Sequence, residues 1–201
     1  MAEAVKKYLA SVGISGFYYG VLDEATNVVD SVRHVEFLQE IGVEAPQEIA
    51  KAYGDNRTAA MAVAGGDVSV TGRFHAIPYE DKKLLFGMEE VDGILATGAD
   101  DVPPMVAVAF YKNLQDGSVE YVGLPKGLFT RPNMSGQTKE DGAPEFGSDE
   151  VEGQFMDRAV AGYSKPKSIL MAQDDKGAVV KRDALFTKVF GKPHPDATPS
   201  S

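Results

Sequence analysis

The residues of this chain with the plainest capacity for chemistry are three histidines, His34, His75 and His194, and three adjacent acid pairs, Glu89-Glu90, Asp100-Asp101 and Asp174-Asp175. Imidazoles can hold zinc, and two carboxylates facing each other across a cleft can serve a glycosidase as acid and base. The spacing supports neither. The histidines lie far apart with no HExxH, and neighbouring carboxylates on a strand point to opposite faces, so solvated turns account for the pairs better. Asp174-Asp175-Lys176-Gly177 begins like a calcium loop but lacks the remaining ligand spacing, and a β-turn is the better reading. There is no GxSxG, P-loop or GxGxxG, and Gly65-Gly66-Asp67 reads as a turn. The absence of cysteine removes thiolate nucleophiles, disulfides and cysteine-ligated zinc together. The expectation is a chain with no catalytic residue, metal or cofactor.

Composition narrows the class further. The 201 residues, 43% hydrophobic and 25% charged, suit one globular domain with a real core. No apolar run approaches the roughly 20 residues that span a bilayer, and Lys6 and Lys7 have no apolar stretch behind them, so membrane insertion and secretion are not expected. The net charge of −10, with acids scattered along the chain, opposes any grip on nucleic acid, which needs Lys and Arg to displace counterions. The same sign suits a surface that DNA slides past.

The elements that would position these side chains are mostly strands. Within 102–132, Val106, Val108 and Phe110 alternate with Ala107, Ala109 and Tyr111; after Asp116-Gly117 the pattern resumes at Val119, Tyr121 and Val122. That is a β-hairpin, cut at its ends by Pro103-Pro104 and Pro132. Residues 16–22 and 26–35 read as a strand pair around Asp23-Glu24-Ala25. From 34 to 44, Val35, Phe37, Ile41 and Val43 oppose His34, Glu36, Glu40 and Glu44. In 67–75, Val68, Val70 and Phe74 oppose Asp67, Ser69, Thr71 and Arg73, and in 150–156, Val151 and Phe155 oppose Glu150, Glu152 and Gln154. Strands with one apolar and one acidic face make a sandwich or partial barrel of two sheets.

One flanking helix is expected over 78–86, opened by Pro78 and closed by Gly87, and a second is plausible over 181–190 before Gly191. The domain would span 1–201, with an N-terminal arm over 1–15, helical or extended in its first dozen residues, an extended loop over 131–149 and a C-terminal arm over 191–201. The loop and the C-terminal arm are too polar and too rich in Gly and Pro to offset their ordering entropy alone.

Taken in order, several pieces resemble the major tail protein of long, non-contractile phage tails, the siphophage tail tube subunit. They are the strand GISGFYYGVLD, the Tyr-x-Asp-Asn of AYGDNRTAAM, the helix IPYEDKKLLFG, and the block PPMVAVAFYKNLQDGSVEYVGLPKGLFTRP. A Thr138-Lys139 loop and a Glu-x-x-Gly-x-Phe strand from Glu150 to Phe155 follow. Gly54 stands where that family more often has alanine. The resemblance implies a β-sandwich flanked by a helix, assembled as stacked homohexameric rings whose inner sheets join into one barrel. It implies partners in the tape-measure protein and the tail terminator and tip proteins, with double-stranded DNA passing unbound. It also implies residence in the virion tail after assembly in the host cytoplasm.

Under that resemblance the acidic strand faces become candidates for the bore: Glu36, Glu40, Asp67, Ser69, Thr71, Glu150 and Glu152. Screening over roughly 10 Å limits what DNA would feel to the nearest side chains. The loop and C-terminal arm supply candidates for contacts between subunits or rings: Thr138, Lys139, Glu140, Phe146, Pro193 and Pro195. The alternative is a monomeric carbohydrate-binding β-sandwich on a virion or cell surface, with Tyr18, Tyr19 and Tyr121 stacking sugars, although a core role for these tyrosines is the better reading.

Overall fold

A computed structural model describes residues 8–54, 57–132 and 147–197. In chain order it contains β1 (Ser11–Asp23), β2 (Val28–Val29), β3 (Arg33–Val35), β4 (Leu38–Glu44), β5 (Gln47–Gly54), β6 (Arg57–Gly65) and β7 (Val68–Phe74). Helix α1 (Tyr79–Phe86), β8 (Glu89–Val91), β9 (Ile94–Ala96), β10 (Val106–Leu114), β11 (Val119–Phe129), β12 (Asp149–Phe155), β13 (Leu170–Asp174) and helix α2 (Val180–Phe190) follow.

Nine strands form one antiparallel sheet along the path β2-β1-β10-β11-β12-β7-β4, with β3 beside β1 and β13 beside β11; β5-β6 and β8-β9 are separate two-stranded ribbons. The expected two layers are thus largely one sheet folded over. Phe17 of β1 packs edge-on against Phe74 of β7 at 4.9 Å between ring centroids, although three strands separate β1 from β7 in the sheet. Between these layers lies the first core, built on Phe17, Tyr19, Val70, Phe74, Val106, Val108, Phe110, Phe129 and Phe155, with Leu85 and Phe86 of α1.

The middle strands are apolar on both faces, and the second face needs its own cover. Ala107, Ala109, Tyr18 and Tyr121 point away from the first core and pack under Leu185, Phe186, Val189 and Phe190 of α2. The second helix, plausible from sequence over 181–190, therefore exists and covers the outer face, so a helix stands beside the sheet in addition to the one flanking helix expected over 78–86. It ends at Gly191, whose φ of 70° is the left-handed cap conformation. Its start is held from β13: the Asp174 carboxylate accepts the backbone N–H groups of Lys181 and Arg182 at 3.0 Å. α1 behaves as its sequence predicts, with Pro78 just before the first turn and Gly87 at φ 63° closing it.

Two irregularities aim the side chains. Between Ser15 and Tyr18 β1 carries one residue more than β10, at Gly16 with φ 61°, which switches the parity so that Phe17 and Tyr19 enter the first core and Tyr18 the second. Opposite Val106–Val108, β11 carries an extra residue at Pro125-Lys126, where a missing N–H costs no ladder bond. Beyond this bulge β11 changes neighbour, pairing with β13 over 119–123 and with β12 over 127–129.

Several expectations are corrected here. The period-two reading of 34–44 breaks at Phe37, which has φ 62° and is 70% exposed, and again at a bulge between Leu38 and Glu40. The strand expected over 26–35 is two short pieces separated by a bend. The N-terminal arm ends earlier than residue 15, because Ser11 to Ser15 already pair with β10. The C-terminal arm is a docked segment at least to residue 197: His194 is 2% exposed, its ring packed against Tyr18 and Phe186. At the end of the expected loop, Asp149 is in β12, where its carboxylate accepts the Ile77 N–H and pairs with Lys82 at 2.9 Å.

Gly123 on β11 lies directly beneath α2, and a Cβ there would sit 2.4 Å from Cγ2 of Val189. Gly123→Ala is expected to lower stability by about 1–3 kcal/mol through overpacking, measured by urea denaturation. An unchanged midpoint would show that α2 is not seated this closely.

Candidate functional site

The polar outer face of β4, β7 and β12 gathers most of the residues marked from sequence. Strand pairing aligns them in rows: Glu40, Arg73 and Glu150; then Gly42, Thr71 and Glu152; then Glu44, Ser69 and Gln154. The alternation that creates this face is strict on β7 and β12, where Val68, Val70, Phe74, Val151 and Phe155 are buried and the intervening side chains are not. Gly42 keeps the middle row flat, since a Cβ there would meet the Thr71 hydroxyl at 2.8 Å.

Four carboxylates share this ladder with a single cation. Arg73 donates from Nη2 and Nε to one oxygen of Glu150, at 2.8 and 3.1 Å, and Glu40 is its cross-strand neighbour on β4. Both members of the ion pair are about half exposed, so water and salt screen it. A shallow depression of about 180 Å³ runs between these side chains, lined by Glu40, Thr71, Arg73, Glu150 and Glu152. The surface is anionic, wet and of low relief, suited to repelling another anion at short range rather than to holding a small molecule.

Of the seven candidates for the bore, Glu40, Ser69, Thr71, Glu150 and Glu152 meet on this face. Glu36 lies off it in the link between β3 and β4, and Asp67 is exposed in the link before β7. Thr138, Lys139, Glu140 and Phe146 fall outside the described residues, while Pro193 and Pro195 are exposed on the docked C-terminal segment. Arg73 at the centre of the ladder was readable only as one more polar residue of its strand; its two acidic neighbours come from other strands.

One member of each adjacent acid pair has a structural partner. Glu90 pairs with Lys83 at 2.7 Å, Asp101 accepts the Gly98 N–H, and Asp174 caps α2. Tyr19, Tyr18 and Tyr121 are buried, so these three form no exposed sugar platform. The Tyr19 hydroxyl donates to Asp81 at 2.5 Å, and burial followed by that hydrogen bond pushes its pKa far above the usual phenol range. His34 and His194, distant in sequence, both touch the ring of Tyr18. Among the described residues no group of three His, Asp or Glu side chains could hold a metal, and no helix is long and apolar enough to cross a membrane.

The sequence reading missed the ribbon β5-β6. It is inserted between β4 and β7 and continues their hairpin past a neck where the Gly66 N–H donates to the Pro46 carbonyl at 3.0 Å. Register places Lys51 opposite Met61 and Ala50 opposite Ala62. Ile49 is 61% and Met61 67% exposed. The chain matches no protein-family model and no curated protein.

In a double-mutant cycle on Arg73→Ala and Glu150→Ala, the coupling is expected to be about 0.2–1 kcal/mol in low salt and to fade at about 1 M salt. A coupling that persists undiminished in high salt would contradict the screened, water-facing geometry.

Proposed function

We propose that this chain is a structural tube subunit of the long, non-contractile phage tail type, assembling as stacked homohexameric rings around an anionic bore through which DNA passes unbound. The observation that carries the reading is the unfinished hydrogen bonding and packing of one hairpin. β4 ends the large sheet and has no ladder partner on its free side among the described residues. The ribbon β5-β6, which grows from it, forms its ladder internally while Ile49 and Met61 face water. A lone two-stranded ribbon is marginal in water, and an open edge strand is a template for pairing. A second copy placed beside β4 satisfies both needs, and closure into a ring removes every such edge.

The ladder of Glu40, Glu44, Glu150 and Glu152 starts at this same edge strand, so joining copies edge to edge would extend it around a ring. Repulsion at short range would then keep a polyanion moving without adhesion. The tape-measure protein would occupy that bore before DNA does, and terminator and tip proteins would cover the two ends of the stack. No step in this function needs a nucleophile, an acid-base pair or a cofactor. Thr138, Lys139, Glu140 and Phe146, with Pro193 and Pro195, would meet neighbouring subunits or rings.

Replacing residues 46–66 with an Asn-Gly turn removes the ribbon and leaves the body intact. Sedimentation velocity at high protein concentration is expected to show large polymers for the native chain and a folded monomer for the variant. Polymers of equal size from both would separate assembly from the ribbon, and a native chain that stays monomeric would remove the proposed function.

A further inference from the structure

His194 is the most enclosed titratable ring of the C-terminal segment, with a side chain only 1% exposed. Both of its nitrogens are committed. Nδ1 lies 3.0 Å from the backbone nitrogen of Asp196 and accepts its N–H, so the ring proton resides on Nε2. Nε2 in turn lies 2.8 Å from the Tyr111 hydroxyl, to which it donates. The rings of Tyr18 and Phe186 enclose the imidazole at 5.1 and 4.5 Å between centroids. This arrangement is complete for the neutral ring and for no other state. A proton added at Nδ1 removes the acceptor of the Asp196 N–H and places a charge among aromatic side chains.

The surroundings offer that charge little compensation. From α2, Arg182 opposes a positive ring and Asp183 favours it; from β3, His34 opposes it; β1 and β10 contribute only the neutral phenols of Tyr18 and Tyr111. On the segment itself the Asp196 carboxylate stands 3.8 Å from Nδ1, but its side chain is 78% exposed and screened by water. Burial, followed by Arg182, holds the imidazole below its ordinary value of 6.5. The other described tether of this stretch is a Lys192 ammonium donating to the Asp30 carbonyl from an exposed position.

We propose that His194 is an acid-sensitive latch: while neutral it locks residues 192–197 onto the outer face beside α2, and on protonation it releases them as free chain while the body stays folded. The sign follows from linkage. A histidine whose pKa is lower when docked than when free stabilises docking fully above the free value; that stabilisation is lost as pH falls from 6.5 through the docked value. Gly191 closes α2 before the latch begins, so release need not unwind the helix.

The test combines imidazole titration by NMR with amide hydrogen exchange of residues 192–197 across the same pH range, on the native chain and on His194→Gln. Glutamine can accept from the Asp196 N–H and donate to Tyr111, but it does not titrate. In the native chain His194 is expected to titrate below 6.5, and protection at Asp196 to fall at least about fivefold through that titration while protection at Tyr19 and Val108 holds. In the variant, protection at Asp196 is expected to stay level with pH. A native His194 titrating at or above 6.5, or Asp196 protection unchanged through its titration, overturns the latch with or without a folded variant. The same acid release in His194→Gln would overturn it as well.

Discussion

Everything in this fold follows from three neighbouring strands that are apolar on both faces. β1, β10 and β11 present Tyr19, Val108 and Leu124 to one side and Tyr18, Ala109 and Tyr121 to the other, all buried. Each large side chain removed from water contributes roughly 1.5–3 kcal/mol, so neither face can be left open. On one side the sheet covers itself, curling until Phe74 meets Phe17. On the other side a helix is required, and small residues at Ala107, Ala109 and Gly123 let α2 approach the strands closely. The curl has a consequence at its far end, because it brings β4 over the core without giving its outer edge a ladder partner among the described residues.

What was legible in the sequence is what depends on local pattern. The β10-β11 hairpin, the alternation of β7 and β12 and both helices with their closing glycines could be read because each signal lies within about ten consecutive residues. Five of the seven bore candidates share one face for the same reason, since parity along a strand is a local property. Cross-strand register is not, and so neither the central place of Arg73 between Glu40 and Glu150 nor the order of strands in the sheet could be read.

Other elements were hidden by composition. The ribbon β5-β6 is rich in alanine and lacks contrast between its faces, so its period of two leaves little trace. Phe37 belonged to a regular apolar series and is exposed because its own left-handed backbone just before β4, followed by the bulge after Leu38, breaks the alternation where the series looked continuous. The C-terminal stretch reads as solvated chain from its prolines and polar residues, yet one histidine with two hydrogen-bond partners and an aromatic enclosure docks it. A single buried polar contact can outweigh composition when both of its hydrogen bonds are satisfied.

The body and the hairpin are therefore in different conditions. The body has two closed cores and helices closed at their C-termini by left-handed glycines, whereas the hairpin formed by β4, β5, β6 and β7 ends in an edge strand and a ribbon that have no ladder partner on their free sides among the described residues. That contrast is the basis for reading the chain as a unit of assembly with an acidic ladder beside its joining edge. Electron microscopy of the concentrated native chain in negative stain tests it most directly. Hollow polymers of uniform diameter with a regular axial repeat are the predicted result, and a field of dispersed single particles at every concentration would contradict the account.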